Sequence, residues 1–194
     1  MRLVSAWKAA DLLREGKVGL IPTETVVGLV ASGGGLFRLF EIKERDPDKP
    51  VAMLCPSVES ALLRFQEIPP LARTLAECFW PGPLTLVFDA ESGGTIGLRV
   101  PDHSVTREVL AYGAPIYATS ANLSGEPAPT ALRHVDPWVA QAVDFVVPGT
   151  PGSGEASAVV RLSGGEVRLL RPSAELTEDK LLRLVEERTG PFAI

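Results

Sequence analysis

Two rhythms of apolar positions run through this chain. Short apolar runs read as strands, and stretches with apolar residues at helical spacing read as helices. A first helix is predicted through AWKAADLLRE, capped by Ser5 and stopped by Gly16, with Trp7, Leu12 and Leu13 facing the core. VGLIP follows as a buried strand, and the glycines Gly33 to Gly35 precede a helix through LFRLFEIKER. Pro47 must end that helix, because proline disfavours helical geometry in the residue before it. VAMLC is a strand, SVESALLRFQ and PPLARTLAECF are helices, and LTLVF and IGLRV are strands on either side of the turn ESGG.

The same alternation continues to the end. SVTREVLAYG is a helix, PIYAT a strand leading into SANLSGEPAPT, and DFVVP and SAVVRL are strands. GGEVRLLRP makes a hairpin return, and TEDKLLRLVEERTG is a capped closing helix. Crossover helices join some strand pairs and tight glycine turns join others, so an α/β fold is expected, with a twisted sheet partly parallel and partly antiparallel. No internal repeat is visible, and one domain spanning residues 1–194 is expected.

Composition narrows the function classes. With 45% hydrophobic and 22% charged residues the chain reads as a folded globular protein. A net charge of -5 and a pI near 5.2 argue against a surface built mainly to coat nucleic acid, while leaving room for a local basic pocket. No apolar stretch is long enough to cross a bilayer and no signal core is visible, so a cytoplasmic location with no membrane partner is expected. Cys55, Cys78, His103 and His134 are too few and too scattered for a zinc site, and the cysteines read as two partly buried thiols.

Polar clusters interrupt the strands at PTET, KERDPDKP, TSANLSG and the pair GEAS with LLRP. Several directly follow apolar strands, where ligand crevices of α/β sheets form. Lys43 as a point charge and Arg45 as a planar fork suit a polyphosphate once Pro47 breaks the helix. Ser120 and Asn122 alternate on an extended or turning backbone and can face one ligand. Neither a G-x-x-x-x-G-K loop nor a G-x-G-x-x-G element is present, there is no G-x-S-x-G elbow, and His103 in PDHS reads as a capped turn.

IPTETVVGL, KERDPDKPV, WPGPLTLV, GLRVPDH, TSANLSGEPAPT and LLRPSA, in that order, resemble the YrdC/TsaC family of threonylcarbamoyl-AMP synthases. The resemblance implies a nucleotidyltransferase that joins L-threonine, bicarbonate and ATP into threonylcarbamoyl-AMP with release of pyrophosphate. Partner proteins then move the threonylcarbamoyl group to tRNA, with tRNA or double-stranded RNA as a further partner. By the same resemblance Lys43, Arg45, Ser120 and Asn122 form the catalytic signature. Lys43, Arg45, Lys49, Asn122, Thr130 and Arg171 would serve ATP, a substrate that carries its own Mg²⁺, with no tightly bound protein metal. Thr23 and Thr25 would offer hydroxyls to the small substrate, Arg99 would meet the threonine carboxylate, and Thr95 and Ser157 would lie nearby.

The chain departs from the family pattern mostly on the threonine side. Val27 stands in place of tyrosine, Glu44 and Asp46 in place of glycine and proline, and Ala158 and Arg161 in place of threonine and aspartate. The segment from Gly28 to Lys43 is also shorter. These changes define the alternative: a divergent paralogue that binds nucleotide or double-stranded RNA through a basic face of Lys43, Arg45, Arg99 and Arg171.

Overall fold

The alternating apolar positions form a single mixed sheet. The structure, a computed structural model, describes residues 2–44, 51–64, 68–90, 93–163 and 166–189. Its strands are β1 (Val18–Ile21), β2 (Gly28–Ala31), β3 (Ala52–Leu54), β4 (Leu84–Asp89), β5 (Thr95–Arg99), β6 (Ile116–Ser120), β7 (Phe145–Val146), β8 (Ala158–Ser163) and β9 (Glu166–Arg171). Their spatial order is β7-β1-β2-β6-β3-β5-β4-β8-β9. The pairs β1/β7, β3/β5 and β4/β8 are parallel and the other five are antiparallel, the mixture expected from alternating crossovers and hairpins.

Helices α1 (Ala6–Arg14), α2 (Leu36–Lys43), α3 (Val58–Leu62), α4 (Pro70–Phe79), α5 (Ser104–Tyr112), α6 (Pro137–Ala142) and α7 (Glu178–Thr189) flank it. On one face Ile21, Val30, Leu54 and Ile116 pack beneath α1 and α5. On the other, Leu20 and Leu29 meet α2 and α6, while Leu86, Leu98 and Val160 meet α3, α4 and α7. Strand alternation and register place Ala52, Thr95, Gly97, Arg99, Thr85, Val87 and Val159 on the first face, beyond α1 and α5. None of them belongs to an apolar cluster of the described residues. That half-face is the floor of the candidate site.

Several expectations are corrected. Trp7 is 55% exposed, because it lies on the solvent side of α1, and Ser5 caps that helix only through its carbonyl, with no side-chain bond. Helix α2 stops at Lys43, with Glu44 in the left-handed region at φ 48°, ahead of Pro47, which lies outside the described residues. Strand β2 and helix α6, started by the Asp136 side chain and Pro137, were not anticipated. A proline-interrupted apolar run hid the first, and the six residues of the second carry too little periodicity.

Gly19 in β1 lies directly against Phe145, which is fully buried; a Cβ there would stand 2.3 Å from its ring. Strand β1 carries the chain into the site, so this contact matters beyond its own strand. Gly19→Ala is expected to destabilise the fold by about 1–3 kcal/mol through overpacking. Urea unfolding checks this, and Phe145→Leu in the same background should restore part of the loss; full additivity of the two changes would refute direct contact.

Candidate active site

Lys43 ends α2 and is 3% exposed. Its ammonium is directed at four oxygens: the Ser120 carbonyl at 2.7 Å, Ser120 Oγ at 3.2 Å, the Asn122 carbonyl at 3.0 Å and Asn122 Oδ1 at 3.1 Å. An ammonium has three protons, so these oxygens share them, and the charge is directed at least in part to the turn that follows β6. The turn is fixed further by Asn122 Nδ2, which donates to the Leu123 and Glu126 carbonyls, and by Ser124 Oγ, which donates to the Lys43 carbonyl. The structure thus joins Lys43, Ser120 and Asn122, as expected. Lys43, expected as a point charge for a polyphosphate, is found buried against that turn. Arg45 and Lys49 lie outside the described residues.

Arg99 closes β5 and is 8% exposed. Its Nε donates to the Gly82 carbonyl at 3.3 Å, and its Nη2 donates to Glu24 Oε1 at 2.6 Å and Thr25 Oγ1 at 3.0 Å. Thr25 Oγ1 lies 2.9 Å from Thr23 Oγ1, whose own proton goes to the Val26 carbonyl at 2.6 Å. The hydroxyl of Thr23 is therefore tied to its own loop, which corrects the expectation that it faces a substrate.

Arg171, at the end of β9, donates through Nε to the Ser157 carbonyl at 2.8 Å and through Nη2 to Ser157 Oγ at 3.2 Å. Ser157 Oγ also pairs with Thr85 Oγ1 at 2.9 Å. Burial first, and the Arg99 charge second, push the Arg171 guanidinium down from its ordinary pKa. The buried Arg99 and the more exposed Arg171 thus place two like charges close enough to repel, an arrangement that favours an anionic guest.

Register puts the ends of β1 and β6 at one end of the sheet, and Arg99 and Arg171 at the other. Residues 23–27 cross between them: Val27 accepts from the Ala121 amide at 2.9 Å, while Glu24 and Thr25 reach Arg99. The loop at 148–157 is laid over this crossing. Ser153 and Gly154 amides donate to the Glu24 and Thr25 carbonyls at 2.8 Å, and the Gly152 amide to the Thr130 carbonyl at 3.2 Å. Gly152 is obligatory there, since a Cβ would stand 2.4 Å from the Thr25 oxygen. Thr130 is thereby held at the rim, with its hydroxyl 3.2 Å from His134 Nδ1.

A cavity of about 390 Å³ opens beside this crossing, lined by Glu24, Thr25, Trp80, Gly82, Ser153 and Glu175 among others. Thr95 shares the sheet face of Arg99 but stands four residues back along β5, roughly 13 Å away, too far for one amino acid to touch both. Its expected place beside Arg99 is corrected on that ground. Glu24 is the site residue that sequence reasoning left without a role; a carboxylate set between two threonines just after a strand end was its only signal. His103 stands at the N-cap position of α5 and caps it through its carbonyl, which accepts from the Arg107 amide; its ring is buried, with Nε2 3.0 Å from Thr150 Oγ1. Cys55 is buried, whereas Cys78 is exposed. With Lys43 and Arg99 both buried, neither can contribute to the exposed basic face proposed for RNA.

Comparison with known proteins gives the arrangement its context. The Sua5/YciO/YrdC family model, described as telomere recombination, matches residues 11–173. A Pyrococcus abyssi protein named threonylcarbamoyl-AMP synthase is 37% identical over 87% of this chain and 55% of its own length. A Bacillus subtilis protein of the same name is 33% identical over 96% of this chain and 57% of its own length. The solved structure of P. abyssi Sua5 complexed with L-threonine superposes with a TM-score of 0.84 at 32% identity, covering 96% of this chain and 61% of that one. The chain thus spans just over half the length of the curated relatives it matches here. With the expected motifs in order, the expected mixed sheet and these matches, the chain belongs to the Sua5/YciO/YrdC family.

Proposed function

We propose that this chain makes threonylcarbamoyl-AMP and pyrophosphate from L-threonine, bicarbonate and ATP, for threonylcarbamoyladenosine modification of tRNA by partner proteins. The observation that carries this reading is the buried Arg99, held by Glu24 and Thr25 at the wall of a cavity of about 390 Å³ with the Arg171 charge close by, in a fold whose P. abyssi neighbour was solved with L-threonine. Arg99 takes the substrate carboxylate, and Thr25 and Ser157 stand within reach of its polar groups. The nucleotide lies along the open half-face toward Thr95, between Asn122, Thr130 and Arg171, with Arg45 and Lys49 supplying phosphate contacts.

In this reading the threonine amine adds to carbon dioxide derived from bicarbonate, giving a carbamate. A carbamate oxygen then attacks the α-phosphorus as the bond to pyrophosphate breaks. Transfer of this kind rests on positioning and charge stabilisation more than on a general base. Mg²⁺ enters with the nucleotide; among the described residues no group of three His, Cys, Asp or Glu side chains is placed to hold a metal. No helix of the described residues is long and apolar enough to cross a membrane, and cytoplasmic tRNA modification fits that. The reading as an RNA-binding paralogue gains no support from the buried cations.

Pyrophosphate release from ATP and bicarbonate is expected to require L-threonine and to be much weaker with L-serine. Release that ignores threonine, or its absence under all conditions, would sink the reading. Lys43 serves by shaping the Ser120–Asn122 turn, so Lys43→Met is expected to lower activity and to cost about 2–3 kcal/mol of stability as charged hydrogen bonds are lost. Urea unfolding reads the second effect; an unchanged midpoint would mean that the ammonium does not hold the turn.

A further inference from the structure

Glu24 is used on one side only. Its Oε1 accepts from Arg99 Nη2 at 2.6 Å, while its Oε2 is buried and has no hydrogen-bond partner. An ionised carboxylate presents about four acceptor sites, and a dry, unpaired oxygen on it is costly. The neighbouring donors are already committed. The Ser153 amide goes to the Glu24 carbonyl, and Thr25, an acceptor from Arg99, can give its proton only to Thr23, whose own proton is taken by Val26. A donor for Oε2 has to arrive with a ligand.

The surroundings specify its charge. The cavity that opens on Glu24 is also lined by Asp102 and Glu175, and among the described residues no lysine or arginine lines it. This wall favours a cationic donor. Directly beside it Arg99 spends Nε and Nη2 on the chain, which leaves Nη1 for an anionic acceptor, and Arg171 adds positive potential. An acidic cavity wall backed by a guanidinium that touches three of its lining residues matches a zwitterion.

We propose that Glu24 Oε2 receives the α-ammonium of the amino-acid substrate while Arg99 takes its carboxylate, so that this ion pair selects α-amino acids over other hydroxy acids. The assignment rests on the amino-acid reading above and adds a specificity residue to it. Before substrate binds, the Glu24 carboxylate already neutralises Arg99. The ligand completes a pair that the fold leaves half satisfied.

The test is calorimetric titration of L-threonine and of its des-amino counterpart, 3-hydroxybutyrate, into the wild-type chain and into Glu24→Gln. Wild type is expected to bind threonine at least about tenfold more tightly than 3-hydroxybutyrate, and Glu24→Gln to lose about tenfold for threonine alone, closing the gap. Equal losses for both ligands would mean that Glu24 acts only by holding Arg99, and would overturn the assignment while leaving the amino-acid site intact. Equal affinities in wild type would overturn it whether or not the variant folds. Binding of neither ligand by wild type would remove the amino-acid reading, and this proposal with it.

Discussion

A buried ammonium must be surrounded by acceptors, and Lys43 meets that constraint by drawing in oxygens from residues 77 and 79 positions further along the chain. Much of the site is arranged around this one gathering. It joins the C-terminus of α2 to the turn after β6, and that turn in turn receives the loop entering β2 through Ala121 and Val27. Elements from three separate stretches of sequence are thereby fixed to one another. The cation supplies order to the turn before it supplies charge to any ligand.

The second centre works under the opposite condition, with charges left in excess. Arg99 and Arg171 repel, and Glu24 offsets them with one oxygen while its other oxygen stays unsatisfied. Charge left unpaired in this way favours a small charged guest over an apolar one. The net acidity of the chain as a whole, -5, says little about it, because Arg99 is buried and met locally by Glu24, while Arg171 stays exposed beside it. The same burial rules Lys43 and Arg99 out of an exposed basic face.

The sheet makes room for both centres by being covered unevenly. Helices pack on one whole face, whereas on the other α1 and α5 cover only the part from β7 to β3. Beyond them Ala52 and Gly97 keep the floor low, and Gly152 lets the strap at 148–157 press against the Thr25 carbonyl. Departures from the family pattern fall within this frame: Val27 is buried between β2 and the turn after β6, and Arg161 lies on the open face paired with Asp89.

Periodicity in the sequence was enough to determine the class of the fold, most of its strands and longer helices, and the mixed character of the sheet, because each depends on local apolar spacing and on glycine and proline punctuation. Motif order was enough to determine the family, and with it Lys43, Ser120, Asn122, Arg99, Ser157 and Arg171 as residues of interest. Local rules failed where structure is set by distant partners: β2 was hidden behind Pro22, α6 was too short to show a period, and Trp7 faced outward. What only the tertiary structure decided is how the polar groups are spent. Lys43 turned inward to four oxygens, the Thr23 hydroxyl closed on its own loop, Thr95 fell a strand's length from Arg99, and Glu24 became the partner of an arginine 75 residues away. Hydrogen bonds and ion pairs between distant segments depend on where the sheet brings the backbone together, and no local spacing encodes that meeting.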